Sequence, residues 1–201
     1  MPPRTLGTPA RCELRVRGSR FIACAGPASD EAEAAEQRRR LRRAFDDATH
    51  HCWALRLLSP QGVREWHDDA GEPAGTAGAA ILQALRGADV VHTQVVVARY
   101  FGGTKLGKGG LARTYREAAR GALQMAGMRE IVPLARLRLQ GPPGGDGAVR
   151  HLVARHAGRI LEASYAEADR VALTIEVPEA SSDRLLDDLG HLTRGSWRRA
   201  D

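Results

Sequence analysis

The stretch VVHTQVVVARYFGGTKLGKGG, residues 90–110, carries the clearest structural signal in this chain of 201 residues. Val90 to Phe101 is rich in β-branched residues, which predicts a buried strand. The glycine-rich run from Gly102 to Gly110 follows directly. An amphipathic pattern from Leu111 to about Met125 then predicts a helix. The sequence therefore predicts a strand, a glycine loop and a helix in succession.

A second glycine loop lies upstream and also leads into a helix. The run HDDAGEPAGTAG, from His67 to Gly78, is both acidic and rich in glycine. It follows a hairpin predicted between Cys52 and Trp66, and the helix after it extends to about Arg86. Connections between strands and helices in a small α/β unit often gather at one end. We therefore expect the two loops to lie close together at one edge of the sheet.

The remaining segments complete two domains. Two strands and a helix from Asp30 to about Ala48 precede the hairpin, and the pattern changes near residue 130. Beyond that point the order β-α-β-β-α matches a ferredoxin-like domain with a short or missing final strand. We predict an α+β protein with an N-terminal domain at residues 1–130 and a C-terminal domain at residues 131–201.

Composition limits the classes of protein that need to be considered. The net charge of +6 and the isoelectric point near 9.9 permit nucleic-acid or acidic protein partners. No run approaches the roughly 20 apolar residues of a membrane helix, and no signal peptide is evident. The three cysteines are widely spaced and form no CxxC pair, so neither disulfides nor a zinc ribbon is expected. The sequence predicts a cytoplasmic protein without membrane contact.

The loop from Gly102 to Gly110 is the candidate anion site. Glycines let backbone N–H groups turn inward, and a helix N-terminus adds partial positive charge. The loop is not a regular nucleotide phosphate loop, because Gly109 stands where Ser or Thr would bind Mg²⁺. The alternative, in which these glycines only permit tight turning and close packing, stays open. The residues predicted to bind phosphate or nucleic acid are Arg99, Gly102, Gly103, Lys105, Gly107, Lys108 and Arg113.

The acidic loop offers Asp69 and Glu72 as metal ligands or a general base. Acids placed before a helix are also common caps, and no nucleophile motif accompanies them. We predict no catalytic residue, no metal site and no cofactor. The alternative is a hydrolase or transferase that handles phosphate through Asp69, Glu72 and Lys105, with or without a metal.

Several of these runs resemble the YigZ/IMPACT family. The resemblance is strong from about residue 19 to residue 123 and weaker beyond. One departure concerns the position before Gly-Glu-Pro, where the family usually shows two acids and this chain has Asp69 and Ala70. The runs that carry the resemblance are Ser19-Arg20-Phe21, Gly71 to Gly78, Arg99 to Gly103, Leu106-Gly107 and Gly109-Gly110-Leu111 with Arg113 and Tyr115.

The resemblance implies both a fold and a function. The N-terminal domain is expected to be like the second domain of a ribosomal small-subunit protein, with its helices on one side of a sheet. The C-terminal domain is expected to be similar to a ferredoxin-like module of elongation factor G. Eukaryotic relatives act in translational control, and bacterial members are expected to bind nucleic acid. We therefore predict a non-enzymatic protein that contacts RNA or a ribosome-associated partner through the basic glycine loop. A protein–protein adaptor with purely structural loops is the remaining alternative.

Overall fold

The computed structural model describes residues 2–167 and 170–200, except for the side chains of residues 166 and 167. The chain divides into two compact units, Met1–Ile131 and Val132–Asp201. Each unit combines antiparallel strands with helices, which confirms the predicted α+β class. No helix in the described part of the chain combines the length and the apolar character needed to cross a membrane.

The first unit is built on a five-stranded antiparallel sheet in the order β2-β3-β6-β4-β5. A separate two-stranded ladder pairs β1 with β7, and the sequence analysis missed both because three-residue strands show no alternation. The elements are β1 (Arg4–Leu6), β2 (Ala10–Val16), β3 (Ser19–Pro27), α1 (Glu31–Ala44), β4 (His50–Ser59), β5 (Gly62–Asp68), α2 (Gly78–Ala88), β6 (Thr93–Tyr100), α3 (Gly107–Ala126) and β7 (Met128–Glu130).

Helices cover both faces of this sheet. Helices α2 and α3 pack on one face, where Phe21 and Val97 of the sheet meet the main core. Helix α1 lies against the other face, with Ala34 buried over Leu55 and Leu57. The expectation that all helices lie on one side is therefore wrong. The physical reason is that β4 is apolar on both faces, so each face needs cover.

Helix α1 shows how local chemistry sets its ends. The Asp30 side chain accepts a hydrogen bond from the Glu33 N–H at 2.8 Å, and Glu33 accepts in return from the Ser29 N–H. This reciprocal arrangement resembles a capping box, with the return bond made to the residue before the N-cap Asp30. The helix ends at Ala44, four residues before the predicted end. Arg38 of this helix packs on Trp53, because its guanidinium lies 4.0 Å from the centre of the Trp53 ring.

The second unit is a four-stranded antiparallel sheet in the order β11-β8-β10-β9. Helices α4 and α5 bury the alternating residues of β10, which include Leu173 and Ile175, against Leu185 of α5. The last strand contains only two residues, in agreement with the predicted short final strand. The elements are β8 (Leu134–Gly141), a 3-10 turn (Pro143–Gly145), α4 (Asp146–Arg155), β9 (Arg159–Glu167), β10 (Arg170–Pro178), α5 (Glu179–Thr193) and β11 (Arg198–Arg199).

Candidate functional site

A buried ion pair joins the first glycine loop to the strand that leads into the second. Arg99, near the end of β6, donates from Nη1 to Oε1 of Glu72 in the first loop at 2.5 Å. The two side chains are only 5% and 3% exposed. The Tyr115 hydroxyl on α3 donates to the same carboxylate oxygen at 2.7 Å. The first loop is therefore attached to the strand before the second loop and to the helix after it. These contacts agree with the expectation that the two loops lie close together.

The ion pair sits inside a larger buried cluster. Cys52 Sγ lies 3.3 Å from the Tyr115 hydroxyl and 3.0 Å from the Asp69 carbonyl oxygen. Burial raises the pKa of the Cys52 thiol to about 12, and burial also raises the pKa of Tyr115. The Phe21 ring packs edge-on against Tyr115, with 5.1 Å between ring centres. Because a buried neutral thiol is a poor nucleophile, Cys52 acts here as a packing residue.

Asp69 closes the N-terminus of α2. Its carboxylate accepts hydrogen bonds from the backbone N–H groups of Gly75, Ala77 and Gly78 at 2.7–2.8 Å. Partial burial acts to raise the pKa of Asp69, but these three donors outweigh burial and hold the pKa below its ordinary value. The residue directly before α2 is Ala77, which supplies no side-chain cap, so Asp69 performs that role from outside the helix.

These contacts leave the acidic loop little capacity for metal or base chemistry. Both carboxylate oxygens of Asp69 accept backbone hydrogen bonds, and Glu72 is buried against Arg99 and Tyr115. Among the residues that the structure describes, no three His, Cys, Asp or Glu side chains form a cluster that could hold a metal ion. Asp69 and Glu72 therefore act as structural residues of the loop, because Asp69 caps α2 and Glu72 pairs with Arg99.

Close packing explains part of the predicted phosphate-binding set. A Cβ atom on Gly102 would lie 1.9 Å from the carbonyl carbon of Gly18, in the turn between β2 and β3. Gly102 is thus required by a backbone approach, which is the structural alternative considered above. Arg99 is not available at the surface, because its side chain is buried and paired with Glu72 in the core. We therefore exclude these two residues from any phosphate contact.

The other members of the set remain on the surface. Gly103 and Gly107 are exposed with φ angles of 83° and 72°, which favour glycine. Lys105, Lys108 and Arg113 are exposed, and no described carboxylate lies within 4.0 Å of them. Helix α3 begins with neither a side-chain cap nor an acid in its first turn. The positive end of this helix therefore faces solvent beside two lysines.

Two more arginines extend this basic surface along α3. Arg116 and Arg120 are exposed and follow Arg113 at intervals of three and four residues, which places them on one helix face. The three arginines line a groove of about 510 Å³ together with Cys12 and Leu14 of β2 and with Glu117, Ala118, Gly121 and Gln124 of α3. The sequence analysis missed Arg116 and Arg120, although their helical spacing was a visible signal.

Comparisons with known proteins agree with the resemblance. Residues 17–123 match the Impact N-terminal domain, and residues 147–196 match a domain of unknown function, DUF1949. IMPACT family member YigZ of Escherichia coli (strain K12) is 32% identical over 90% of this chain and 88% of that protein. IMPACT family member YvyE of Bacillus subtilis (strain 168) is 38% identical over 59% of this chain, and the match spans about half (54%) of that relative. A crystal structure of a hypothetical protein matches with a TM-score of 0.75 and 29% identity, over 99% of this chain and 97% of that chain. The chain is a member of the IMPACT family.

Proposed function

We propose that this protein is a non-enzymatic, cytoplasmic binding protein linked to translation or its regulation. In this proposal it contacts RNA, free or as part of a ribosome-associated partner, through the basic loop, defined as residues 103–110 together with Arg113. The observation that supports it is the uncapped N-terminus of α3, which carries exposed lysines and has no acid in its first turn. Family membership supports the link to translation, because eukaryotic relatives act in translational control.

The chemistry of the basic loop suits phosphate oxygens. Backbone N–H groups at the start of α3 can donate to an anion, and Lys105 and Lys108 add two charges on flexible stems. Such contacts position a nucleic acid without reading its bases. Phe101, shortly before the loop, is 47% exposed and offers a ring on which an unpaired base can stack. Together these groups favour single-stranded RNA.

The two acids that the enzymatic alternative needs are both engaged in other contacts. It requires Asp69 or Glu72 to reach a substrate or a metal ion. Asp69 instead caps α2, and Glu72 is paired with Arg99 in the core. No specific observation favours a hydrolase or transferase, so binding remains the proposed function.

Removing both lysines of the basic loop tests this proposal. The double variant Lys105→Ala/Lys108→Ala should bind a fluorescent single-stranded RNA more weakly. It should also show a shallower salt dependence, by about 0.7 for each lost phosphate contact on a single strand. The matched control is Arg40→Ala/Arg43→Ala, which removes two exposed charges from α1. Equal losses in the two double variants would show that diffuse surface charge, and not the loop, binds the RNA.

A further inference from the structure

The sheet of the second unit has one face that its own helices leave uncovered. Helices α4 and α5 cover the face that contains Leu137, Leu139 and Leu173. Side chains alternate along a strand, so the even-numbered residues of β8 and β10 point to the opposite face. Directly paired residues share a face, which places Arg198 of β11 beside Gln140 on that opposite face.

Arginines outnumber the acids on this open sheet face, which also carries Glu162, an exposed residue paired with Thr174. Glu176 on it is already neutralised, because Arg159 donates to its carboxylate at 2.6 Å and Arg136 lies 3.9 Å away. Arg138 and Arg198 are exposed, and no carboxylate in the described part of the chain lies within 4.0 Å of either. We define the open sheet face by its arginines, which are Arg136, Arg138, Arg159, Arg170 and Arg198.

A recess at one end of this face brings two of the arginines together. Arg170 and Arg198 line a volume of about 300 Å³, together with Ser196, Gln140, Gly141 and Pro142. Guanidinium groups form paired hydrogen bonds with phosphate oxygens, and the hydroxyl and amide can add further contacts. The recess thus offers a place for a phosphate group next to the row formed by Arg136 and Arg138.

The charge of the second unit is divided between its two sides. Helix α5, on the covered side, carries four acids: Glu179, Asp183, Asp187 and Asp188. Arginines dominate the open sheet face instead. Arg184 and Arg155 offset part of this acidic charge. A polyanion that approaches this unit is therefore attracted more strongly to the sheet side than to the α5 side.

We infer that the open sheet face is a second nucleic-acid surface, one that binds the phosphate backbone of helical RNA. The inference is independent of the basic loop of the first unit. Surfaces that read unpaired bases stack them on exposed aromatic rings or on guanidinium planes. This face offers only guanidinium groups, which also suit the phosphate backbone of a helix. The unit has only two aromatic residues: the Tyr165 hydroxyl is bonded to Arg150 of α4, and Trp197 is buried.

A protein partner fits this face less well than RNA does. Protein interfaces depend on a few buried aromatic or apolar anchors at their centre. The centre of this face carries Ala172 and Thr174 between charged neighbours, which provide no such anchor. Side chains two residues apart on a strand, such as Arg136 and Arg138, are roughly 6.6–6.8 Å apart along it. This regular array of exposed guanidinium groups matches a regular array of phosphates.

The test compares a duplex RNA with a single-stranded RNA of the same composition, using the full chain. Arg138→Gln/Arg198→Gln should weaken duplex binding on the order of tenfold and reduce the salt slope by about one for each lost contact. Binding of the single strand should change far less. The control is Arg155→Gln/Arg184→Gln, which removes two exposed charges from the helix side of the same unit. Thermal unfolding of each variant checks that the fold is retained.

The outcomes separate this inference from the proposed function. If the sheet variant and its control lose duplex affinity equally, the open sheet face is not a site. The same conclusion follows if the sheet variant retains duplex binding, or if it loses binding to anionic vesicles but not to RNA. Lys105→Ala/Lys108→Ala tests the basic loop separately, because that variant should affect the single strand most. Each of the two proposed surfaces can therefore be disproved without affecting the evidence for the other.

Discussion

The two glycine loops lead into helices in similar ways but differ in what meets the helix N-terminus. In the first loop the protein supplies its own anion, because the Asp69 carboxylate accepts from three backbone N–H groups at the start of α2. In the second loop α3 begins without a cap, beside Lys105 and Lys108. A glycine loop before a helix is thus only a potential anion site, and it is open to an external ligand only where no internal carboxylate occupies it.

The same contrast extends to the charged side chains around the loops. Glu72 and Arg99 are almost completely buried and neutralise each other. The lysines of the second loop are exposed, so we expect them to contribute little to the free energy of unfolding. Substitutions in the first loop should therefore act on stability, whereas substitutions in the second should act on binding.

The largest effect is expected from Glu72→Ala. This change leaves Arg99 as a buried charge without its carboxylate and removes the acceptor of the Tyr115 hydroxyl. Breaking a buried pair in this way costs about 3–5 kcal/mol of the free energy of unfolding. Chemical denaturation at neutral pH measures it. Glu36→Ala, which breaks the exposed pair with Arg39, should leave the unfolding midpoint nearly unchanged. Similar midpoints for the two variants would contradict a structural role for the buried pair.

A smaller and pH-dependent effect is expected from Asp69→Asn. The pKa of Asp69 is lowered in the folded protein, so its charge stabilises the fold above the unfolded pKa of about 3.9 and ceases to do so as pH falls through the lower folded value. We expect a loss of about 1 kcal/mol at neutral pH, as for a weakened helix cap. The difference from the unsubstituted protein should shrink below about pH 4 in urea titrations.

Asp68→Asn is the matched control for that measurement. Among the described residues, the Asp68 side chain accepts a hydrogen bond from the Ala70 N–H alone, and it lies outside the cap of α2. Its substitution should change stability less than Asp69→Asn does at neutral pH. If the Asp69→Asn deficit were the same at all pH values, the charge of the carboxylate would not be what stabilises α2.

The sequence predicted the elements well where one signal dominated. The strand and the helix around the second glycine loop followed from β-branched residues and from apolar periodicity. The strand predicted from Val90 to Phe101 spans Thr93–Tyr100. The helix predicted from Leu111 to about Met125 begins earlier, at Gly107 within the glycine run, and ends at Ala126. The placement of α1 on the second face could not be predicted, because it depends on Leu55 and Leu57 facing away from the main core. That orientation is fixed only when β4 pairs with its neighbours in the sheet.

The candidate site shows the same limit. Sequence alone identified Arg99, Asp69 and Glu72 as chemically interesting, but it could not tell a surface charge from a buried pair. Burial is a property of the assembled sheet and helices, and it assigns Arg99 to Glu72 instead of to a phosphate. The exposure of Lys105 and Lys108 is the simpler property to predict, because lysine side chains are almost never fully buried unless paired.

The smallest effect on stability, and the one with the most informative sign, is expected from Lys108→Glu. Lys108 is the second residue of α3, where a positive side chain opposes the helix dipole and a negative one complements it. The substitution should therefore raise the free energy of unfolding by about 0.3–1 kcal/mol. It should also weaken binding of single-stranded RNA, because it places a carboxylate where a phosphate would sit. Arg120→Glu on the same helix lies beyond the first turn, so it should weaken binding without the gain in stability. Denaturation and RNA titration of both variants measure these effects.

A gain in stability without loss of affinity for Lys108→Glu would mean that RNA does not bind at the start of α3. A loss of stability would mean that this N-terminus is not the open counterpart of the one that Asp69 closes.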